Sequence, residues 1–181
     1  AVDLSWHLTT QERPDEAEPL AREALRRAYE IDDPEVLDIA LTNLAFIHRW
    51  TGRYAAAESL LHESLEVVER IYGTGHPSYA ISLGQLASVH TFQKNYEEAE
   101  SCYRRSLEIQ RRTLGGDHHE VGTTLNNIAG LLRDTGRYDE AESLSGDAIR
   151  IYRESLGPDH SWVAIALGNH AALLERMGSF A

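Results

Sequence analysis

Cysteine is nearly absent: Cys102 is the only one in 181 residues. An intrachain disulfide is therefore impossible, and so is a zinc site built from several thiolates. Long apolar runs are lacking too. No stretch approaches the roughly 18 residues that cross a bilayer, and the opening AVDLSWHLTT has neither the basic end nor the apolar segment of a signal peptide. Together these absences predict a cytoplasmic protein. Basic charge is also scarce, with 17 Lys and Arg against 29 Asp and Glu, a formal charge of -12. That balance argues against a nucleic-acid backbone or an anionic membrane as the main partner. Acid on outer helix faces would keep the chain soluble, and a basic or neutral partner would suit it best.

What is present is ordinary in amount, 42% hydrophobic and 25% charged, as in a folded globular chain. Its arrangement is not ordinary. The strings GRYAAAES, KNYEEAES and GRYDEAES set Tyr54, Tyr96 and Tyr138 at a step of 42 residues, and Phe180 continues the series. Ala57, Ala99 and Ala141 keep the same step, as do His76, His118 and His160, and Leu41, Leu83, Leu125 and Leu167. Within one unit Leu83, Leu86, Ala87 and His90 recur at three and four residues, and so do Ala99, Tyr103, Ser106, Leu107 and Gln110. That spacing predicts two helices with inward faces in each unit. Thr135-Gly136-Arg137 predicts a short turn after the first helix. Tyr72-Gly73-Thr74-Gly75-His76-Pro77 and Leu156-Gly157-Pro158-Asp159-His160-Ser161 predict a longer one after the second.

These strings resemble the tetratricopeptide repeat over essentially the whole chain. The 42-residue period, the loop pattern Leu-Gly-x-Asp-His and the segment Leu125 to Ala129 are similar to the kinesin light chain variety, which is also widespread in bacterial proteins. The resemblance implies an all-α fold, a right-handed solenoid of antiparallel helical hairpins, here one array of about four hairpins over residues 1–181. Two departures stand out: Lys94-Asn95 replaces the Gly-Arg that precedes Tyr54 and Tyr138, and Gly146 falls inside a second helix at a cost of about 1 kcal/mol relative to alanine. A shift of 40 aligns Leu4 with Leu44 and Ala17 with Ala57, so the chain is expected to open inside a first helix. The last first helix, with Val163, Leu167, Ala171 and Leu174, would lack its partner and expose apolar surface. The ends therefore suggest part of a longer array, incomplete at both ends, with possible end-to-end self-association.

The chemistry-bearing residues point away from catalysis. His76, His118 and His160 occupy equivalent loops roughly 10 Å apart in such a stack, too far for a shared zinc, so each is expected to cap a helix or bond within its own loop. Cys102 takes the packing position of Leu60 and Leu144. The tyrosines and the Leu and Ala stripes are expected in the core. No G-x-S-x-G turn or phosphate loop is present, Gly115-Gly116 lacking the lysine and spacing of the latter. No cofactor, metal or enzyme activity is expected.

The expected site is the concave face, lined by the first helix of each unit. Asn43, Gln85, Asn127 and Asn169 form a ladder of amides at the 42-residue step, each able to donate and accept. In proteins of the resembled family this asparagine lines a peptide groove, which implies binding of an extended peptide or helix of a protein partner. Arg49 and Arg133, with Trp50 and Phe92 beside them, are expected to select an acidic or aromatic anchor. The family's clamp for a C-terminal carboxylate is not carried over, because Thr42, Gly84, Asn126 and Gly168 stand where it needs basic residues. The alternative reading is a structural spacer or self-assembly segment of a larger signalling or scaffold protein.

Overall fold

Helix boundaries follow from residues that supply or remove hydrogen-bonding groups. The computed structural model describes residues 14–178. The expected opening helix around Leu4, and Phe180, lie outside them. The helices are α1 Pro14–Ile31, α2 Pro34–Trp50, α3 Tyr54–Tyr72, α4 Pro77–Gln93, α5 Tyr96–Leu114, α6 His119–Asp134, α7 Tyr138–Leu156 and α8 Ser161–Gly178. No strand occurs among the described residues. Asp33 caps α2 by accepting from the backbone N–H of Glu35 at 2.9 Å. At the start of α4, α6 and α8 a histidine does the same: Nδ1 of His76, His118 and His160 accepts from the N–H of Ser78, Glu120 and Trp162 at 3.3, 3.3 and 3.2 Å. Each satisfies one of the amides that a helix N-terminus leaves without an intrahelical partner.

The short turns need a left-handed residue. Gly52 and Gly136 supply it at φ 75° and 81°, and Lys94 takes the same conformation at 65°. A side chain there costs about 1–2 kcal/mol, which makes the Lys94-Asn95 departure a strained copy of the Gly-Arg turn. Gly146, in contrast, does not interrupt α7, which runs unbroken to Leu156.

The helices fall into two compact units, residues 1–95 with α1 to α4 and residues 96–181 with α5 to α8. In the first, α2 packs on its hairpin partner α3, on α1 and on α4; in the second, α6 packs on α7, on α5 and on α8. Fully buried Ala57 and Ala141 let paired helices approach closely. All nine residues expected inward between Leu83 and Gln110 are buried. Ala17, Ala21, Leu44 and Ile47 form one core cluster in the first unit; Ile149, Tyr152, Val163 and Ala166 form one in the second. Along α8, Val163 is buried while Leu167, Ala171 and Leu174 are exposed, as expected of a first helix with no following helix among the described residues.

The core also holds polar groups. In the first unit Ser64 Oγ donates to Asp38 Oδ1 at 2.5 Å and lies 2.7 Å from Ser82 Oγ. In the second, Thr124 donates to Gln110 Oε1 at 2.7 Å, and Ser145 Oγ lies 2.7 Å from His170 Nδ1. The tyrosines divide. Tyr79, Tyr103 and Tyr152 are core residues, but Tyr54, Tyr96 and Tyr138 are only half-buried because they open their helices at the turn. Tyr29 and Tyr72 are exposed and donate to Glu63 and Glu35.

Candidate functional site

Each first helix buries one face and leaves a stripe facing away from the core, at the three- and four-residue spacing of a single helical face. On α2 the stripe is Ile39, Asn43, Phe46 and Trp50; on α4 it is Ile81, Gln85, Ser88 and Phe92. On α6 it is Thr123, Asn127, Gly130 and Asp134, and on α8 it is Ile165, Asn169, Ala172 and Arg176. All of these residues are half-buried or exposed, and the Thr123 hydroxyl accepts from the core Tyr152 at 2.9 Å. The amide positions thus lie on an outward stripe.

In the first unit three expected residues come together. The Arg49 guanidinium lies 4.8 Å from the centre of the Phe46 ring and 5.6 Å from that of Phe92. Phe46 stacks near Trp50 at 6.4 Å, and Tyr54 lies parallel to Phe92 at 5.7 Å with 8° between the rings. Trp50 and Phe92 are 51% and 54% exposed. A cation over ring faces, with ring surface left open to solvent, can hold a further ring or a carboxylate. Phe46 and Tyr54 were missing from the expected set. Phe46 stands one turn before Trp50 on the same stripe, and that spacing was the available signal.

The amides are not equivalent. Asn43 and Gln85 are half-buried, and Gln85 Oε1 is enclosed yet accepts no hydrogen bond among the described residues. An enclosed acceptor without a donor is costly, so a turn of the Gln85 side chain toward solvent would relieve it. In the second unit Asn127 and Asn169 are exposed, and Asn169 Nδ2 donates to Asn126 Oδ1 at 3.3 Å. Arg133 has a different surrounding from Arg49. Its guanidinium pairs with Asp134 at 3.0 Å, so its charge is already matched. It borders a shallow depression with Asn126, Gly130 and Asn169.

Burial shifts two further titratable side chains. Burial pushes the Cys102 thiol above its ordinary range, away from the thiolate a nucleophile needs. Burial, with Arg53 nearby, lowers the pKa of His48. No group of three His, Cys, Asp or Glu side chains among the described residues is placed to hold a metal. No helix among them is long and apolar enough to cross a membrane.

Comparison with solved structures and families agrees with this geometry. BtubC (BKLC) from P. vanneervenii is similar over 98% of this chain and 71% of its own, with a TM-score of 0.83 at 24% identity. A Podosopora anserina protein described as a kinesin light chain with nearly identical TPR-like repeats matches over 98% of this chain and 85% of its own, with a TM-score of 0.77 at 19% identity. At these identities the likeness shows the fold, an all-α solenoid of helical hairpins. No curated protein sequence matches. The tetratricopeptide repeat family matches over residues 36–112, 80–153 and 120–181. The chain belongs to the tetratricopeptide repeat family.

Proposed function

We propose that the chain is a non-catalytic, cytoplasmic protein-interaction module that takes an extended segment of a partner protein on the outward stripes of its first helices. One observation carries this reading. In the first unit the half-buried amide Gln85 shares the outward stripe of α4 with Phe92, whose exposed ring faces the Arg49 guanidinium together with Phe46, near an exposed Trp50. An amide pairs with main chain whatever the sequence, while open rings beside a cation supply the anchors from which binding energy mostly comes. The test starts from peptides selected from a random displayed library on the whole chain. Changing Asn43→Ala together with Gln85→Ala is expected to weaken the selected peptides about tenfold or more while the helical circular dichroism stays constant. Unchanged affinity in the titration rejects the groove.

A second reading, self-assembly through α8, draws support from the exposed Leu167 and Leu174, at positions where Leu41 and Leu125 or Leu132 are buried. Sedimentation over a range of protein concentrations tests it. A constant monomer mass rejects it.

A further inference from the structure

The outward stripes of the first unit carry a row that the amides and the aromatic cluster do not account for. Ile39 and Ile81 stand 42 residues apart, at equivalent places on α2 and α4, and are 49% and 46% exposed. Their helical neighbours Ala40 and Ala80 are buried, so both isoleucines point outward although β-branched aliphatic side chains are usually covered. Each lies one turn before an amide, Ile39 before Asn43 and Ile81 before Gln85, and residues four apart share a helix face. Beyond the amides stand Phe46, Trp50 and Phe92. The first unit therefore presents an aliphatic row, an amide row and an aromatic row side by side.

These rows constrain what can lie on them. The amides can pair only with a main chain whose own groups are not already bonded, which excludes a helix. An extended or polyproline II segment leaves those groups available. The step along the aliphatic row is set by the distance between packed helices, about 8–10 Å, and α2 and α4 do contact each other. A polyproline II chain rises about 3.1 Å per residue with three residues per turn, so residues three apart face the same way about 9 Å on. A flat strand, with its side-chain period of two, turns every third residue to the opposite face.

We propose that the first unit recognises a polyproline II-like segment bearing aliphatic side chains three residues apart, one seated on Ile39 and the next on Ile81. Its main chain lies along Asn43 and Gln85. The inference rests on the groove reading above and adds the partner's conformation and residue period. The probes are fluorescently labelled synthetic peptides of one composition, with leucine at every third position, at every second position, or scrambled, titrated by anisotropy against the whole chain. The period-three peptide is expected to bind at least about tenfold tighter than the other two. Ile39→Ser with Ile81→Ser should remove that preference while helicity is retained, since both side chains are on the surface. Equal binding of the three peptides, or a preference that survives the double serine change, overturns the proposal. Library-selected peptides that weaken with the Asn43 and Gln85 changes but not with the isoleucine changes would keep the groove and reject this row.

Discussion

Residues 1–95 and residues 96–181 build on the same period, and they differ most where the repeat leaves a position free. Outward, the first unit places Ile39, Phe46, Trp50, Ile81 and Phe92; on α6 the second places Thr123, Asn127, Gly130 and Asp134. Inward, leucine and alanine recur at many positions, and among the exceptions one is a carboxylate. Asp38 holds a buried carboxylate where Ala80 and Gly122 stand in later helices. Stacking sets the inward positions because each must fit both its hairpin partner and the next helix, and volume changes there are costly. The outward stripe bears no such load. Its side chains are therefore free to differ from one helix to the next.

The inward carboxylate gives the largest expected effect. Asp38 is tolerated because Ser64 donates to it and is itself paired with Ser82, but the places equivalent to those serines around Gly122 are held by Ala148 and Ala166. A Cβ on Gly122 would lie 3.1 Å from Ile151 Cγ2 and 3.2 Å from the Tyr152 ring. Gly122→Asp should therefore cost more than about 3 kcal/mol in urea unfolding, through overpacking and an unpaired buried charge. A cost under about 1 kcal/mol would show that the two units differ less inside than their hydrogen bonds indicate.

The reciprocal change is smaller and depends on pH. Burial holds the Asp38 carboxyl above its ordinary range, against the opposing pull of the Ser64 hydroxyl and the nearby His76. A folded value above the unfolded one contributes stability that is full below the unfolded value and lost as pH rises through the folded one. At neutral pH the ionised group is a burden. Asp38→Asn keeps an acceptor for Ser64 and removes the charge, so the Tm should rise by about a few degrees at pH 7 and by less near pH 4. An equal shift at both pH values would locate the effect in packing instead.

Much of this was legible because three copies of each signal reinforce one another. Helix starts at Tyr54, Tyr96 and Tyr138, the histidine caps and the inward residues all follow from spacing. The outward chemistry was harder to read. Ile39 and Ile81 fit the period, yet an aliphatic side chain in a helix reads as core, and only its burial shows otherwise. The stacking of Arg49 on both Phe46 and Phe92 joins two helices, and no single helix's periodicity displays a distance between them. Arg133 and Asp134 are adjacent, and neighbours in sequence do not normally face each other on a helix, so their pairing appears only in side-chain geometry.

The smallest effect separates two copies of one clamp. Arg53 bonds Glu18 at 2.7 Å in the first unit, and Arg137 bonds Glu100 at 2.6 Å in the second. The hydrogen bond from Arg53, aided by Arg22, lowers Glu18 to about 2. For Glu100 burial pushes upward first, and the hydrogen bonds from Arg104 and Arg137 outweigh it only enough to leave a lowered value. Both carboxylates are depressed, so each contributes stability that is present above the unfolded value of about 4.5 and is lost as pH falls through its folded value. The larger depression belongs to Glu18. Because exposed pairs are worth only about 0–1 kcal/mol, the neutral-pH melting temperature should barely move in either glutamine variant. Between pH 4.5 and pH 2, Glu18→Gln should flatten the fall of Tm with acid more than Glu100→Gln does. If the two slopes flatten equally, the extra arginine bonds of Glu18 add nothing in solution, and the two units share the clamp as evenly as they share the period.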